Sequence, residues 1–429
     1  MKMKKFFALL LSASMVLSLA ACGSKDTDQS SDSQSGSETA SELHLGYDIN
    51  TGESFYGPYY DEWSDKTDAE LYELAQKESG TVTIYSLTSK ISKIAAAFQE
   101  AYPGLQVECY DLKTSEIAEK VPLEHDSHNI VSDVIITSDA TGDIYYQWYD
   151  AGYVEAYYPA SICQTIDESF LEYGLTLYTV LDIWYYNSGE FPEGCPITNW
   201  WDLLDTDEDG RPLYTIYIKN ISSDTTYLAL FSQLVLMSDE LEEAYKEKYG
   251  MDLEYTYDAS KVPVEENNAG YEFLYRFTQG NISLVSDGDE RIQAVAASTR
   301  ANPGITNATG SKMTVAFDNG WDESWVMQMA PFSTMVRPTY IYLTSGCDNP
   351  AGARLFINYI MGGENPNENE GLKALLNYGC WTPRSDYVDT VNEIGLADFN
   401  YVLPDIVGIY DTYMDVSDFW VYWHDKFAQ

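Results

Sequence analysis

From Thr67 to Ser138 the hydrophobic period switches back and forth between helix and strand, and that alternation constrains the fold more than any other feature of the chain. "DAELYELAQKES" carries apolar side chains at helical spacing, "TVTIYS" is β-branched and aromatic, and "KISKIAAAFQEAYPG" is an amphipathic helix closed by Pro103 and Gly104. "LQVECYDL" reads as the next strand, "SEIAEKVPLEH" as a helix, and "SDVIIT" as a strand apolar enough to be buried on both faces. A β-α-β-α-β succession of this kind builds a parallel sheet. In such sheets ligands sit beyond the carboxyl ends of the strands, where helices begin.

Those ends are rich in hydroxyls. Ser86, Thr88 and Ser89 follow the first strand, Thr114 and Ser115 the second, and Ser138, Asp139 and Thr141 the third. Each group is able to serve as an ordinary helix N-cap. Together, on one edge of one sheet, they describe a polar cleft wall. The same chemistry returns in "NISSDTTYLAL", where Ser222, Ser223, Asp224, Thr225 and Thr226 precede an apolar helix. Such a helix start either caps itself or holds an anion on its free N–H groups.

The first residues, "MKMKKFFALLLSASMVLSLAACGS", have the basic start, apolar run and small-residue end of a secretory signal. Leu19-Ala20-Ala21-Cys22 matches the bacterial lipobox, so Cys22 is expected to become the lipidated first residue of the mature chain, held at the membrane by its acyl chains. "SKDTDQSSDSQSGSETAS" that follows has too few apolar side chains to fold and reads as a tether. Removal of Lys2, Lys4 and Lys5 with the signal takes the formal charge from −44 to −47. So acidic a chain is a poor partner for nucleic acid or anionic lipid.

Metal chemistry finds little support. Cys109, Cys163, Cys195, Cys347 and Cys380 fit no metal spacing. His125 and His128 in "EHDSHN" lack a third ligand, and "DTDEDG" at 205 to 210 opens like a calcium loop but has Ile216 where the bidentate Glu belongs. No metal site and no cofactor are expected. Trp321 and Trp325 read either as a stacking platform or as core, and Arg337 and Arg384 either as ligand clamps or as partners of surface acids. Neither pair enters the expected site.

Taken in order, "ELYELAQKESGTVTIYS", "AAAFQEAYPGLQVE", "SDVIITSD", "IWYYN", "NWWDLLD", "SSDTTYLAL", "LVSDGDERIQAVAAS", "GCDNPAGARLFINYIMG" and "WTPRSD" resemble the extracellular solute-binding proteins of ABC importers. The likeness is to the type 2 group, which includes ferric-ion, phosphonate and sugar-phosphate binders. It implies an α/β fold of two lobes, each a central sheet flanked by helices, joined at a hinge and closing on a small ligand. It further implies a signal peptide at 1–21, lipidated Cys22 with a tether at 22–60, lobe 1 at 61–182, lobe 2 at 183–305, and a return at 306–429 shared between the lobes. The site is expected at Ser86, Thr88, Ser89, Ser138, Asp139, Ser222, Ser223, Asp224, Thr225, Thr226, Thr306 and Asn307. Ferric binders of this group carry a Tyr-Tyr pair after the returning strand, where "GITNATG" here offers Asn307 and Ala308. The resemblance therefore favours a small organic oxyanion or sugar phosphate, with ferric ion second. Implied partners are a permease and an ATPase, for a monomer at the outer face of the membrane. A sensor kinase in place of the permease implies the same fold. A surface glycan hydrolase is the distant alternative, without any G-x-S-x-G, H-E-x-x-H or P-loop motif to support it.

Overall fold

The computed structural model describes residues 62–427 apart from 79, 150 and 263–266, together with the strands His44–Tyr47 and Ser54–Tyr56. Those two strands pair antiparallel within the stretch expected to be tether. The signal sequence and Cys22 lie outside the described residues.

Eight strands carry the architecture: β1 Thr81–Ser86, β2 Gln106–Asp111, β3 Val134–Ser138, β4 Leu175–Asn187, β5 Thr215–Ile218, β6 Ile282–Leu284, β7 Gly304–Thr309 and β8 Thr334–Thr344. Their order in the sheet is β2-β1-β3-β8-β4-β7-β5-β6. One flank, β2-β1-β3, is parallel, as the alternation in the sequence requires. The other, β7-β5-β6, is parallel too. Between them β4 and β8 run antiparallel to each other, and each belongs to both halves.

The helices used below are α1 Asp68–Ala75, α2 Ile91–Ala101, α3 Thr114–Asp126, α4 Thr225–Leu236, α5 Ala269–Phe277, α6 Gly288–Ala296, α7 Pro350–Ile360 and α8 Ile406–Phe427. In α2 the spacing of Ile91, Ile94, Ala95 and Phe98 puts one apolar stripe on the sheet, where it packs with Ile84, Val134 and Phe356 in the first core. Burying each such large side chain contributes about 1.5–3 kcal/mol. The opposite face of that flank is covered by Ile117 and Val121 of α3, with Trp148. A second core gathers Trp184, Trp200, Trp201, Phe231, Phe273 and Phe277 around the other flank. The first core also takes in Tyr185, Ile292 and Ala308 of the second flank, so it joins the two lobes of the α/β architecture.

Helix α8 touches both. Ile409, Val416, Phe419, Trp420 and Trp423 line one face and enter the second core. Its first turn lies against Gly142 of the first lobe, where a Cβ would stand 2.7 Å from the carbonyl oxygen of Ile406. At φ +80° that position tolerates only glycine on backbone grounds as well.

Candidate functional site

The two shared strands are buried along their length except at one position in each. In β4 every residue is buried except half-buried Val180, and in β8 every residue is buried except half-buried Arg337. Val180 and Arg337 are register partners, so the two half-buried positions stand side by side in the strands that both halves of the sheet share. Strand alternation puts Tyr178, Val180 and Asp182 on the same face as their partners Thr339, Arg337 and Met335. Cys380, in a short strand on the other edge of β4, sits opposite Val180.

Opposite charges meet at this pair. Arg337 Nε lies 3.2 Å from Asp182 Oδ2 and Nη2 3.5 Å from Oδ1. Asp182 is 5% exposed, and its backbone carbonyl accepts hydrogen bonds from Asn307 Nδ2 at 3.2 Å and Thr334 Oγ1 at 2.9 Å. Burial raises the Asp182 carboxyl above its ordinary range, with Arg337 as the strongest opposing influence; Asp224 repels it further, while Lys219 and Arg291 favour its charged form. From the first lobe, Lys90 and Arg337 both favour the thiolate of Cys380, although burial dominates and keeps its pKa raised. Arg337 thus acts on both groups, with Lys219 and Arg291 beside it at Asp182 and Lys90 beside it at Cys380.

The expected site residues fall into two groups. On the first lobe, Ser86 is fully buried and its Oγ accepts from the N–H of Thr88 at 3.2 Å. Thr88 is half-buried and Ser89 exposed, just before α2, whose N-terminus has no side-chain cap. Ser138 closes β3 half-buried. Asp139 is buried, accepts from the N–H of Tyr145 at 2.9 Å, and is pushed up by burial to about 6.

On the second lobe the acid of "NISSDTTYLAL" works as a cap. Asp224 Oδ1 accepts from the N–H groups of Thr226 at 3.1 Å and Tyr227 at 3.2 Å, and Oδ2 pairs with Lys219 Nζ at 2.6 Å. Ser222 Oγ donates to Asn220 Oδ1 and exposed Ser223 Oγ to Asn220 O. Trp420 Nε1 of α8 also donates to Asn220 Oδ1, at 3.0 Å, which ties the loop to the last helix. Thr225 is exposed and Thr226 half-buried. Thr306 and Asn307 lie within the sheet, the former donating to Tyr217 O at 2.7 Å and the latter to Asp182 O. Asn307 is thus bonded to Asp182 and Asp224 acts on it through its charge, while the hydroxyl of Thr306 is committed to its neighbouring strand.

Arg337, which the sequence leaves between ligand clamp and acid partner and outside the expected site, pairs with buried Asp182. Its signal was present: one charged residue in "TMVRPTYIYLT", an otherwise apolar or hydroxylated strand. Arg384, the other arginine singled out, is spent on structure, donating to Met361 O, Gly363 O and both oxygens of Asp386. Trp325 is core and Trp321 packs on it half-buried. In the "DTDEDG" turn Asp207 accepts from the backbone and Nε of Arg211, both at 2.9 Å. Among the described residues no group of three or more metal-ligating side chains converges, and no helix is long and apolar enough to cross a membrane.

No family model and no curated protein sequence matches the chain. Solved structures do. Apo ferric ion-binding protein A from Pasteurella haemolytica superposes with a TM-score of 0.56 at 13% identity, over 82% of this chain and 99% of that one. Iron-bound HitA from Pseudomonas aeruginosa gives 0.53 at 14% identity, over 79% and 98%. The periplasmic binding protein AfuA from Actinobacillus pleuropneumoniae, with fructose-6-phosphate bound, gives 0.51 at 15% identity, over 82% and 99%. The fold is that of the two-lobed periplasmic binding proteins.

Proposed function

We propose that this chain is a solute-binding subunit of an ABC importer, anchored through Cys22, which captures a small polar solute between its lobes and hands it to a permease driven by an ATPase. The observation that carries the proposal is half-buried Arg337 beside buried Asp182, placed where both lobes share strands. A solute seated there touches both walls, and a ligand with contacts on both lobes stabilises the closed form over the open one. The protein binds and releases; it performs no chemistry on the solute. The proposed lobes are 61–182 and 183–305, with 306–429 shared.

The structural neighbours differ in cargo, iron for HitA and fructose-6-phosphate for AfuA. For this chain a small organic oxyanion or sugar phosphate is favoured over ferric ion. Asn307 and Ala308, at the place of the ferric binders' tyrosine pair, are buried in the sheet. Ser86, Thr88, Ser89, Ser138, Asp139 and the 222–226 hydroxyls are proposed to line the walls. Native mass spectrometry of the purified protein should reveal a co-purifying small molecule, with small-angle scattering showing compaction when it is bound. A protein that carries no solute and never compacts would overturn the proposal.

A further inference from the structure

We infer that Arg337 is the anion receptor of the cleft, taking a carboxylate or phosphate of the solute on the guanidinium edge turned away from Asp182. The inference rests on the binding-protein proposal and specifies its ligand chemistry. A guanidinium carries five N–H donors in a planar fork. Asp182 faces the Nε and Nη2 side, and Nη1 makes no hydrogen bond to any described residue. The Arg337 side chain is 25% exposed, beside Val180, the other half-buried residue of the two shared strands.

The hold of Asp182 on Arg337 is loose. Separations of 3.2 and 3.5 Å exceed the roughly 2.7–2.9 Å of a good charge-assisted bond. Nε and Oδ2 are both buried, yet neither completes a hydrogen bond of acceptable geometry. Arg384 shows the contrast: its bonds to Met361, Gly363 and Asp386 run from 2.7 to 3.0 Å and its side chain is 1% exposed. Lys90 is likewise spent, donating to Leu375 O and Asn377 Oδ1, both at 2.7 Å, and Lys219 is held by Asp224. Arg291 also has an unpartnered Nε but is 3% exposed and donates through Nη1 to Val285 O and Ser286 O, so among these cations Arg337 is the one that combines free donors with a partly exposed side chain.

A bidentate carboxylate or phosphate matches that free edge. A bare ferric ion does not, because the guanidinium is always charged and repels it. Asp182 keeps the local charge near balance when the cleft is empty, and the surrounding Lys90, Lys219 and Arg291 favour an incoming anion at this spot over the acidic remainder of the surface.

The test titrates the purified protein with inorganic phosphate and separately with acetate, with chloride holding ionic strength constant, followed by thermal melting and calorimetry. At least one anion should bind saturably, and the stronger of the two identifies the group recognised. Arg337→Gln should weaken that binding about tenfold or more, Arg337→Lys less, and exposed Arg300→Gln not at all. Should Arg337→Gln fail to fold because Asp182 is stranded, Arg337→Gln with Asp182→Asn removes the stranded charge and gives the same readout. The inference falls if neither anion binds the native protein saturably, or if the Arg337 variants bind with unchanged affinity. A co-purifying solute retained by Arg337→Gln would reject the receptor and keep the binding-protein proposal, whereas a native protein with neither solute nor compaction would reject that proposal itself.

Discussion

Glu323 gives the sharpest test of how the second lobe is built. It opens the short strand Glu323–Trp325, which lies against Tyr185 to Asn187 at the end of β4. The residue is 9% exposed, and both carboxyl oxygens are buried without a hydrogen-bond partner. The nearby amide of Asn187 is turned the other way, donating to Ala296 O and Ser298 O at 3.0 Å each. Burial pushes the acid from 4.5 up to about 8, opposed only by the Ala296 backbone N–H from outside hydrogen-bonding geometry. The folded protein therefore keeps a proton that the unfolded chain releases above pH 4.5. Stability from this group is intact below pH 4.5 and falls by about 1.4 kcal/mol per pH unit until the folded pKa is reached. By pH 7 the accumulated loss is about 3 kcal/mol, and by pH 8 about 4. Glu323→Gln is neutral throughout and escapes the loss, less a constant of about 1 kcal/mol for an amide without an acceptor. Urea unfolding followed by tryptophan fluorescence at pH 5, 6.5 and 8 should show the variant gaining on the native protein as pH rises. A stability difference independent of pH, or one that shrinks as pH rises, would refute the reasoning.

Asp224→Ala removes the cap of α4 and the partner of Lys219, and should cost about 1–2 kcal/mol, read as a lower melting temperature. Ser223→Ala nearby, exposed and bonded only to Asn220 O, should stay within about 0.5 kcal/mol. Cys22→Ala should release the protein into the medium, measured by fractionation after a salt wash; retention on membranes would contradict a lipid anchor. Calcium should leave the melting temperature unchanged, since Arg211 already occupies Asp207; a rise saturating at micromolar calcium would show a site there.

Local order was plain in the sequence because it depends on neighbours. "TVTIYS" is β1, "SDVIIT" covers most of β3, and "GITNATG" is β7 with one residue to spare. Helix α2 ends, as Pro103 and Gly104 require, just before them. What the sequence hid is set by distant partners. Thr334 pairs with Ile183 about 150 positions earlier, and only that register puts Arg337 beside Val180 and within reach of Asp182. Arg337 and Arg384 look alike as letters, and only their surroundings separate a cation with free donors from one fully engaged. The hydroxyls of 222–226 were visible as a helix start, but that Asp224 faces back to cap α4 depends on Lys219 and on the loop held by Trp420.

The shared strands also set an order of assembly. The second flank takes its main strands from residues 182 to 309, β4 through β7, whereas β3, paired with β1 on one side, finds its other neighbour in Thr339 to Leu343 of β8. A chain that emerges amino terminus first therefore completes the strands of the later lobe while the earlier one still lacks its fourth. Until β8 arrives, β3 presents an unpaired apolar edge, the kind of surface that pairs wrongly with other chains. The part of the sheet that is made first is the part that closes last.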